Sequence, residues 1–154
     1  MHGRGEAVTP LRDLPRLWLV IAKPNYGVST GEAYAALDAP ILGDRFAMNR
    51  GQAWRGFAEV VCSAVRSGDF PRIAGSLWND FEGPVFETHP DLRDLKMRLV
   101  DLGASGALLA GSGSAVFGVF GHRTLAESAW ETLTAAGWET WRVPSLTREE
   151  SLTP

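Results

Sequence analysis

The spacing of hydrophobic and polar residues along this chain of 154 residues predicts a mixture of strands and helices. Short apolar runs, unbroken or alternating, are typical of strands, whereas apolar residues three or four apart form one face of a helix. The predicted strands are 17–22, 106–110, 115–120 and 138–143. The predicted helices are 31–37, 52–67, parts of 70–86, 90–102 and 124–136, with 38–51 as a connection.

Residues that are typical of helix starts support three of these helices. Ser29 or Thr30 can cap the first helix, and Pro90 suits a first helical position. Thr124 and Glu127 have the spacing of a capping box, in which each side chain bonds the other residue's backbone N–H. The sequence therefore predicts where these three helices begin.

The order of the predicted elements is strand, helices, strand, strand, helix, strand. This β-α-β-β-α-β order predicts an α+β fold of the ferredoxin-like kind, with extra helices in the first crossover. Its mainly antiparallel sheet of four strands carries helices on one face. We assign residues 17–146 to this domain, residues 1–16 to an N-terminal arm or linker and residues 147–154 to a tail.

Composition and charge are those of an ordinary globular protein. Apolar residues make up 45% of the chain and charged residues 21%, and the net charge is −3. Such a charge does not attract nucleic acid or an anionic membrane. No run approaches the roughly 20 apolar residues that a membrane span needs, and the first residues lack a signal-peptide pattern. We expect a cytoplasmic protein with no nucleic-acid or membrane partner.

The sequence offers few residues for independent catalysis. Cys62 is the single cysteine, which excludes an internal disulfide, and its apolar surroundings predict a buried, unreactive thiol. The three histidines lie far apart without metal-ligand spacing. Neither a nucleophile elbow nor a Walker-type phosphate loop occurs, and the six tryptophans are interpreted as packing residues. We predict no catalytic residue and no metal ligand in this chain.

The first candidate site is the sequence Gly111-Ser112-Gly113-Ser114, which lies between two predicted strands. Glycines alternating with serines give a turn whose backbone N–H groups and hydroxyls can approach a polar surface closely. A phosphate is one such surface. A neighbouring loop of the same protein is another, in which case the segment is a tight connection between strands.

The second candidate site follows the first predicted strand, in residues 23–34. The strand ends at a proline turn, hydroxyls open a helix, and Tyr34 follows one turn later. Ligands are commonly bound at such strand ends, and Tyr34 can stack on a planar ring. The alternative is that Ser29 and Thr30 only cap the helix and that Tyr34 packs.

Several stretches of the chain together resemble the GHMP kinase family. They occur in that family's order and nearly span the chain, and the predicted sheet agrees with the family's C-terminal domain. The last stretch looks like the family's third conserved motif. The matching stretches are 3–6 with 9–11, 23–34, 77–82 with 84–86, 102–107 and 111–117.

The resemblance implies transfer of the ATP γ-phosphoryl group to a hydroxyl of a cytidine-diphosphate-linked sugar alcohol, a methylerythritol. This reaction is a step of the non-mevalonate route to isoprenoids. By resemblance, Gly111, Ser112, Gly113 and Ser114 face the nucleotide phosphates or support the family's main phosphate loop. Thr30 and Tyr34 match positions on the substrate side, where an aromatic ring stacks on cytosine.

The resemblance covers only the C-terminal half of the family's pattern. The family's main phosphate loop, its lysine motif and its catalytic aspartate belong to an N-terminal half, and no residue here matches them. The resemblance therefore implies that an N-terminal kinase half is a partner, that ATP with magnesium binds through it, and that this chain alone is inactive. We also expect an exposed apolar face where that partner docks. The alternative is a stand-alone nucleotide-binding or regulatory module without catalysis.

Overall fold

The computed structural model describes residues 10–38 and 50–153, and within 50–56 only the backbone is described. The strands are β1 (Trp18–Lys23), β2 (Gly106–Leu109), β3 (Val116–Phe120) and β4 (Glu139–Pro144). The helices are α1 (Thr30–Asp38), α2 (Arg50–Ser67), α3 (Phe70–Gly75), α4 (Glu82–Thr88), α5 (Pro90–Asp101), α6 (Arg123–Ala135) and α7 (Arg148–Leu152). The predicted strands and helices are confirmed to within about two residues, the usual uncertainty of element ends. Most of the predicted connection 38–51, and the side chain of Trp54, lie outside the described residues.

The four strands form one sheet in the order β2-β3-β1-β4, and every neighbouring pair is antiparallel. The predicted four-stranded antiparallel sheet is therefore confirmed. In its centre Val20 lies opposite Gly118 on one side and Arg142 on the other, and Gly118 lies opposite Ala107. This register brings the end of β1 next to the turn between β2 and β3.

The core lies between one face of the sheet and the helices α5 and α6. Val20, Ala22 and Phe120 are fully buried on this face. Apolar residues at helical spacing on α5 meet them, which confirms the predicted stripe: Leu92, Leu95 and Leu99 are at most 1% exposed. None of the described helices is long and apolar enough to cross a membrane.

The predicted capping box of α6 is wrong. The helix begins at Arg123, directly after β3, and its N-cap residue His122 makes no side-chain hydrogen bond. Glu127 instead lies 3.5 Å from Arg142 Nη1, so its side chain reaches the sheet rather than its own helix. A complete capping box forms at Thr147 and Glu150, at the start of α7, within the segment predicted to be the tail.

Two tryptophans and the cysteine are less buried than predicted. Trp78 is 57% exposed and Trp141 is 43% exposed, whereas Trp18, Trp130 and Trp138 pack against the core. Cys62 is free and only half-buried. Hydrophobicity alone does not decide burial, because large apolar residues also occur on protein surfaces.

Candidate functional site

The Gly111–Ser114 loop is a tight turn that links β2 to β3. Gly113 N–H donates to Ala110 O at 3.0 Å and Ala110 N–H donates to Ala115 O at 2.8 Å. Gly111 and Gly113 have φ angles of +57° and +94°, a region that L side chains rarely adopt. A Cβ at Gly113 would lie 3.3 Å from Val28 Cγ2. The glycine at this position therefore also lets the loop approach the segment that follows β1.

The two serine hydroxyls of the loop bond to that neighbouring segment. Ser114 is 7% exposed, and its hydroxyl donates to Tyr26 O at 2.7 Å. Ser112 Oγ lies 3.0 Å from Thr30 Oγ1. The fold thus brings the two candidate sites together, and both hydroxyls find an acceptor or donor within the protein.

The start of α1 distinguishes the roles of Ser29 and Thr30. Ser29 Oγ accepts the hydrogen bond from Glu32 N–H at 3.3 Å, which is the contact of an N-cap residue. Thr30 is already the first residue of the helix. Its hydroxyl is therefore available to Ser112, and the alternative in which Thr30 caps α1 is wrong.

Three backbone N–H groups of the loop remain without a partner among the described residues: those of Gly111, Ser112 and Ser114. Successive backbone N–H groups in a tight turn form a concave surface that favours an anion. The hydroxyls of the loop thus contact the protein, whereas these N–H groups stay available to a ligand.

Tyr34 lies on the same side of α1 as Thr30, because residues four apart share a helix face. Its side chain is 53% exposed. The edge of one ring meets the face of the other between Tyr34 and Phe81, with ring centroids 4.9 Å apart and an interplanar angle of 85°. This contact fixes the ring while leaving half of it accessible, so the alternative in which Tyr34 simply packs is only partly true.

Asn79, which precedes α4, and Glu82, the first residue of α4, support the loop. The sequence did not predict either of them as a site residue. Asn79 Nδ2 donates to Leu109 O at 2.8 Å and to Gly111 O at 2.7 Å. Glu82 Oε1 accepts from Leu109 N–H at 3.0 Å. Their partners lie about 30 residues away in the sequence, so no local pattern reveals these contacts. The available signal is a polar group of residues directly before the apolar residues of α4.

Tyr26 contacts two residues at the start of α5, His89 and Asp91. Its hydroxyl donates to Asp91 Oδ2 at 2.6 Å, and its ring stacks on His89 with centroids 5.6 Å apart. Burial, together with the Asp91 carboxylate, raises the pKa of Tyr26. Asp91 thereby fixes the residue whose carbonyl accepts the Ser114 hydroxyl.

Both lysines of the chain are paired with carboxylates. Lys96 Nζ lies 2.6 Å from Glu82 Oε2, and Lys23 Nζ lies 3.1 Å from Glu139 Oε2. These are the chain's only two lysines. In residues 10–38 and 50–153, no three His, Cys, Asp or Glu residues form a group that could hold a metal ion. The described residues thus offer the loop neither an unpaired lysine nor a metal site.

Comparisons with known proteins identify the family to which this fold belongs. Residues 63–138 match the family model described as GHMP kinases C terminal. The 4-diphosphocytidyl-2-C-methyl-D-erythritol kinase of Alkaliphilus metalliredigens is 35% identical over 149 residues, which are 97% of this chain and 48% of that relative. The enzyme of the same name from Moorella thermoacetica is 42% identical over 119 residues, covering 77% of this chain and 39% of that relative.

A solved structure of a kinase with the same activity in its name is also similar to this chain. The crystal structure of a 4-(cytidine 5'-diphospho)-2C-methyl-D-erythritol kinase matches with a TM-score of 0.66 and 31% identity, covering 92% of this chain and 47% of that one. The chain spans about half the length of the curated relatives it matches. The sheet order, the family model and these relatives together identify the chain as a member of the GHMP kinase family that carries the family's C-terminal domain.

Proposed function

We propose that this chain is the C-terminal half of an ATP-dependent 4-diphosphocytidyl-2-C-methyl-D-erythritol kinase, a cytoplasmic enzyme of the non-mevalonate route to isoprenoids. The proposal takes its activity from the relatives that bear this name. The observation that best supports the proposal is the 3.0 Å contact between Thr30 Oγ1 and Ser112 Oγ. This contact joins α1, which bears the proposed substrate residues, to the glycine-serine loop. One surface then carries contacts for the substrate and for phosphate groups.

The loop contributes hydrogen-bond donors for phosphate oxygens. The N–H groups of Gly111, Ser112 and Ser114 are free of described partners, and no atom lies within 4 Å of where a Cβ on Gly111 would stand, which leaves room for close approach. Phosphoryl transfer depends chiefly on positioning the phosphates and neutralising their charge. The loop therefore faces the nucleotide phosphates directly or supports the loop that does.

Tyr34 contributes the contact to the base of the cytidine-diphosphate-linked substrate. The exposed part of its ring can stack on cytosine, while the contact with Phe81 holds the ring in place. Stacking of a base on an aromatic side chain contributes about 1–3 kcal/mol. Thr30, one turn earlier on the same helix, contacts the loop at Ser112.

We further propose that an N-terminal kinase half supplies the remaining chemistry. In the transfer, a substrate hydroxyl oxygen bonds to the γ-phosphorus, the bond to ADP breaks, and a base accepts the hydroxyl proton. Magnesium bound with ATP neutralises the phosphate charge in such reactions. Both lysines here are paired with carboxylates, so neither is free to neutralise that charge.

A stand-alone nucleotide-binding or regulatory module is the alternative function. Exposed Tyr34 and the open N–H groups of the loop suit a simple binder equally well. The match to kinases of about twice this length favours the kinase half. The two functions differ in whether the chain binds ligand alone or only with its partner.

A chimeric enzyme tests the proposal. The N-terminal half of the Moorella thermoacetica relative is fused before this chain, and phosphoryl transfer from ATP to the cytidine-linked substrate is measured. We expect turnover by the fusion and none by the chain alone. Tyr34→Ala should raise KM for the cytidine-linked substrate by about tenfold or more, the loss expected when one stacking contact is removed.

Trp141→Ala is the matched control for that experiment. Trp141 is an exposed aromatic residue on the sheet face opposite to α5 and α6, so its removal should leave KM unchanged. Turnover by the isolated chain would contradict the division into halves. Tight binding of cytidine diphosphate by the isolated chain, lost in Tyr34→Ala, together with an inactive but folded fusion, would favour the stand-alone module.

A further inference from the structure

The side chain of Asn79 is oriented by three hydrogen bonds. Its amide nitrogen donates to Leu109 O and Gly111 O at 2.8 and 2.7 Å, and its oxygen accepts from Phe81 N–H at 3.0 Å. Exchanging the amide oxygen and nitrogen would place an acceptor against two carbonyls and a donor against an N–H. The three partners therefore fix one orientation of the amide.

The two carbonyls that Asn79 binds lie on either side of Ala110, where β2 passes into the loop. β2 is an edge strand, whose outer backbone groups have no neighbouring strand to bond. Asn79 and Glu82 take the place of that neighbour, since Glu82 accepts from Leu109 N–H while Asn79 binds Leu109 O. Asn79 alone of the two reaches into the loop, at Gly111.

Glu82 is itself fixed by Lys96. Its second carboxylate oxygen accepts from Lys96 Nζ at 2.6 Å, and this ion pair is mostly buried, with side-chain exposures of 19% and 26%. The ammonium also lies 6.0 Å from the centre of the Phe86 ring. Glu82 thus anchors the last residue of β2 from a rigid position.

We propose that Asn79 is a positioning residue that sets the orientation of the glycine-serine loop. The bond to Gly111 O prevents the Gly111–Ser112 peptide from rotating, and the N–H of Ser112 belongs to that same peptide. Because Asn79 also bonds Leu109 O, the loop keeps a fixed angle to β2. The binding of a phosphate by these N–H groups rests on the proposed function. The orientation of the loop by Asn79 does not depend on it.

Asn79→Asp is the most direct test, because it keeps the size of the side chain but removes the donor. The carboxylate repels both carbonyls while its oxygen can still accept from Phe81 N–H. Asp80→Asn is the matched control: Asp80 accepts from the Trp78 indole N–H at 3.0 Å and has no described contact with the loop. Both variants change one charge at adjacent positions.

The readout is the ¹⁵N–¹H spectrum of the full chain, recorded before and during titration with magnesium and ATP. In Asn79→Asp we expect the amide signals of residues 111–114 to move before ATP is added. Asp80→Asn should leave them in place. Acidification that protonates the introduced carboxyl restores one donor, so the loop signals should return towards their wild-type positions. Any ATP affinity of the loop should weaken by about tenfold, the effect of losing one well-placed hydrogen bond.

Unmoved loop signals in a folded Asn79→Asp variant would overturn the positioning role. If that variant does not fold, Asn79→Ala serves instead, since it removes the donor without adding a charge. The Gly113 amide, which donates to Ala110 O, should then exchange with solvent about tenfold faster, and an unchanged rate would equally overturn the inference. Loop signals that respond to Asn79→Asp but not to ATP would uphold the positioning role and contradict phosphate binding by this chain alone.

Discussion

The two ends of the four-stranded sheet are tied to neighbouring segments by different kinds of contact. At the loop end, the β2–β3 turn bonds to the segment after β1 through the hydroxyls of Ser112 and Ser114. At the opposite end, which we call the clasp end, the segment before β1 contacts α7 through an ion pair between Arg16 and Glu150. The hydroxyl contacts at the loop end are neutral, and one of them is buried. The clasp end combines hydrogen bonds between Leu17 and Ser145 with a pair of charges on exposed side chains.

The buried hydroxyl contact and the exposed ion pair should differ in how much they stabilise the fold. A buried polar group that loses its partner costs about 1–3 kcal/mol, because water cannot replace the lost bond. Water and salt screen exposed ion pairs, which therefore contribute little. Loss of the buried contact at the loop end should thus destabilise the protein far more than loss of the ion pair at the clasp end.

The largest effect is expected at Gly113. Gly113→Ala should lower the free energy of unfolding by about 2–3 kcal/mol, because a left-handed residue costs 1–2 kcal/mol and the new Cβ crowds Val28. Gly111→Ala is the control, since its φ is also positive but no atom lies within 4 Å of the added Cβ. It should cost only about 1 kcal/mol. Urea unfolding measures both, and equal losses would show that contact with Val28 is unimportant.

The next effect concerns the two serine hydroxyls. Ser114→Ala leaves the Tyr26 carbonyl without its donor and should cost about 1–2 kcal/mol. Ser112→Ala removes an exposed hydroxyl pair and should change stability by less than about 0.5 kcal/mol. Thermal and urea unfolding of the two variants compare them directly. A larger loss from Ser112→Ala than from Ser114→Ala would contradict the expectation that the buried contact stabilises the fold more.

The pH dependence of the loop end follows from Tyr26. Its pKa is raised above the ordinary tyrosine value of 10.0, so the folded state keeps the phenol protonated where the unfolded state releases the proton. This contribution is fully present below pH 10 and is lost as pH rises above it.

In a Tyr34→Phe background Tyr26 is the only phenol, and its ultraviolet absorbance can be followed alone. We expect ionisation to coincide with alkaline unfolding. Asp91→Asn should bring ionisation back towards pH 10, because it removes the carboxylate that favours the protonated phenol. Ionisation of wild-type Tyr26 near pH 10 without unfolding would contradict the described contacts.

The smallest effect is expected at the clasp end. The Thr147 backbone N–H, and then Arg16, lower the pKa of Glu150 below 4.5. Any stability from this group is therefore present above pH 4.5 and is lost as pH falls through the lowered value. Glu150→Gln should shift the melting temperature less than either Gly113→Ala or Ser114→Ala, and added salt should remove even that shift. A shift as large as that of Ser114→Ala would remove the contrast between the two ends.

The sequence predicted the elements better than the contacts between them. Apolar spacing located the strands and the buried stripe of α5, since burial repeats with the period of the element. It failed at α6, where Glu127 fits a capping box by spacing but reaches Arg142 on the sheet instead. It also missed Asn79, whose partners at 109 and 111 are distant in sequence. Local patterns describe neighbours along the chain, whereas these contacts depend on how the elements meet.

The sequence by itself determined the order of strands and helices and, through the order of its motifs, the GHMP kinase family. These properties depend on residues within a few positions of one another. Only the tertiary structure decided that Ser29 caps α1 while Thr30 meets Ser112, 82 residues further along the chain. The reason is the sheet register, which sets the end of β1 beside the β2–β3 turn and so joins two separate candidate segments into one site.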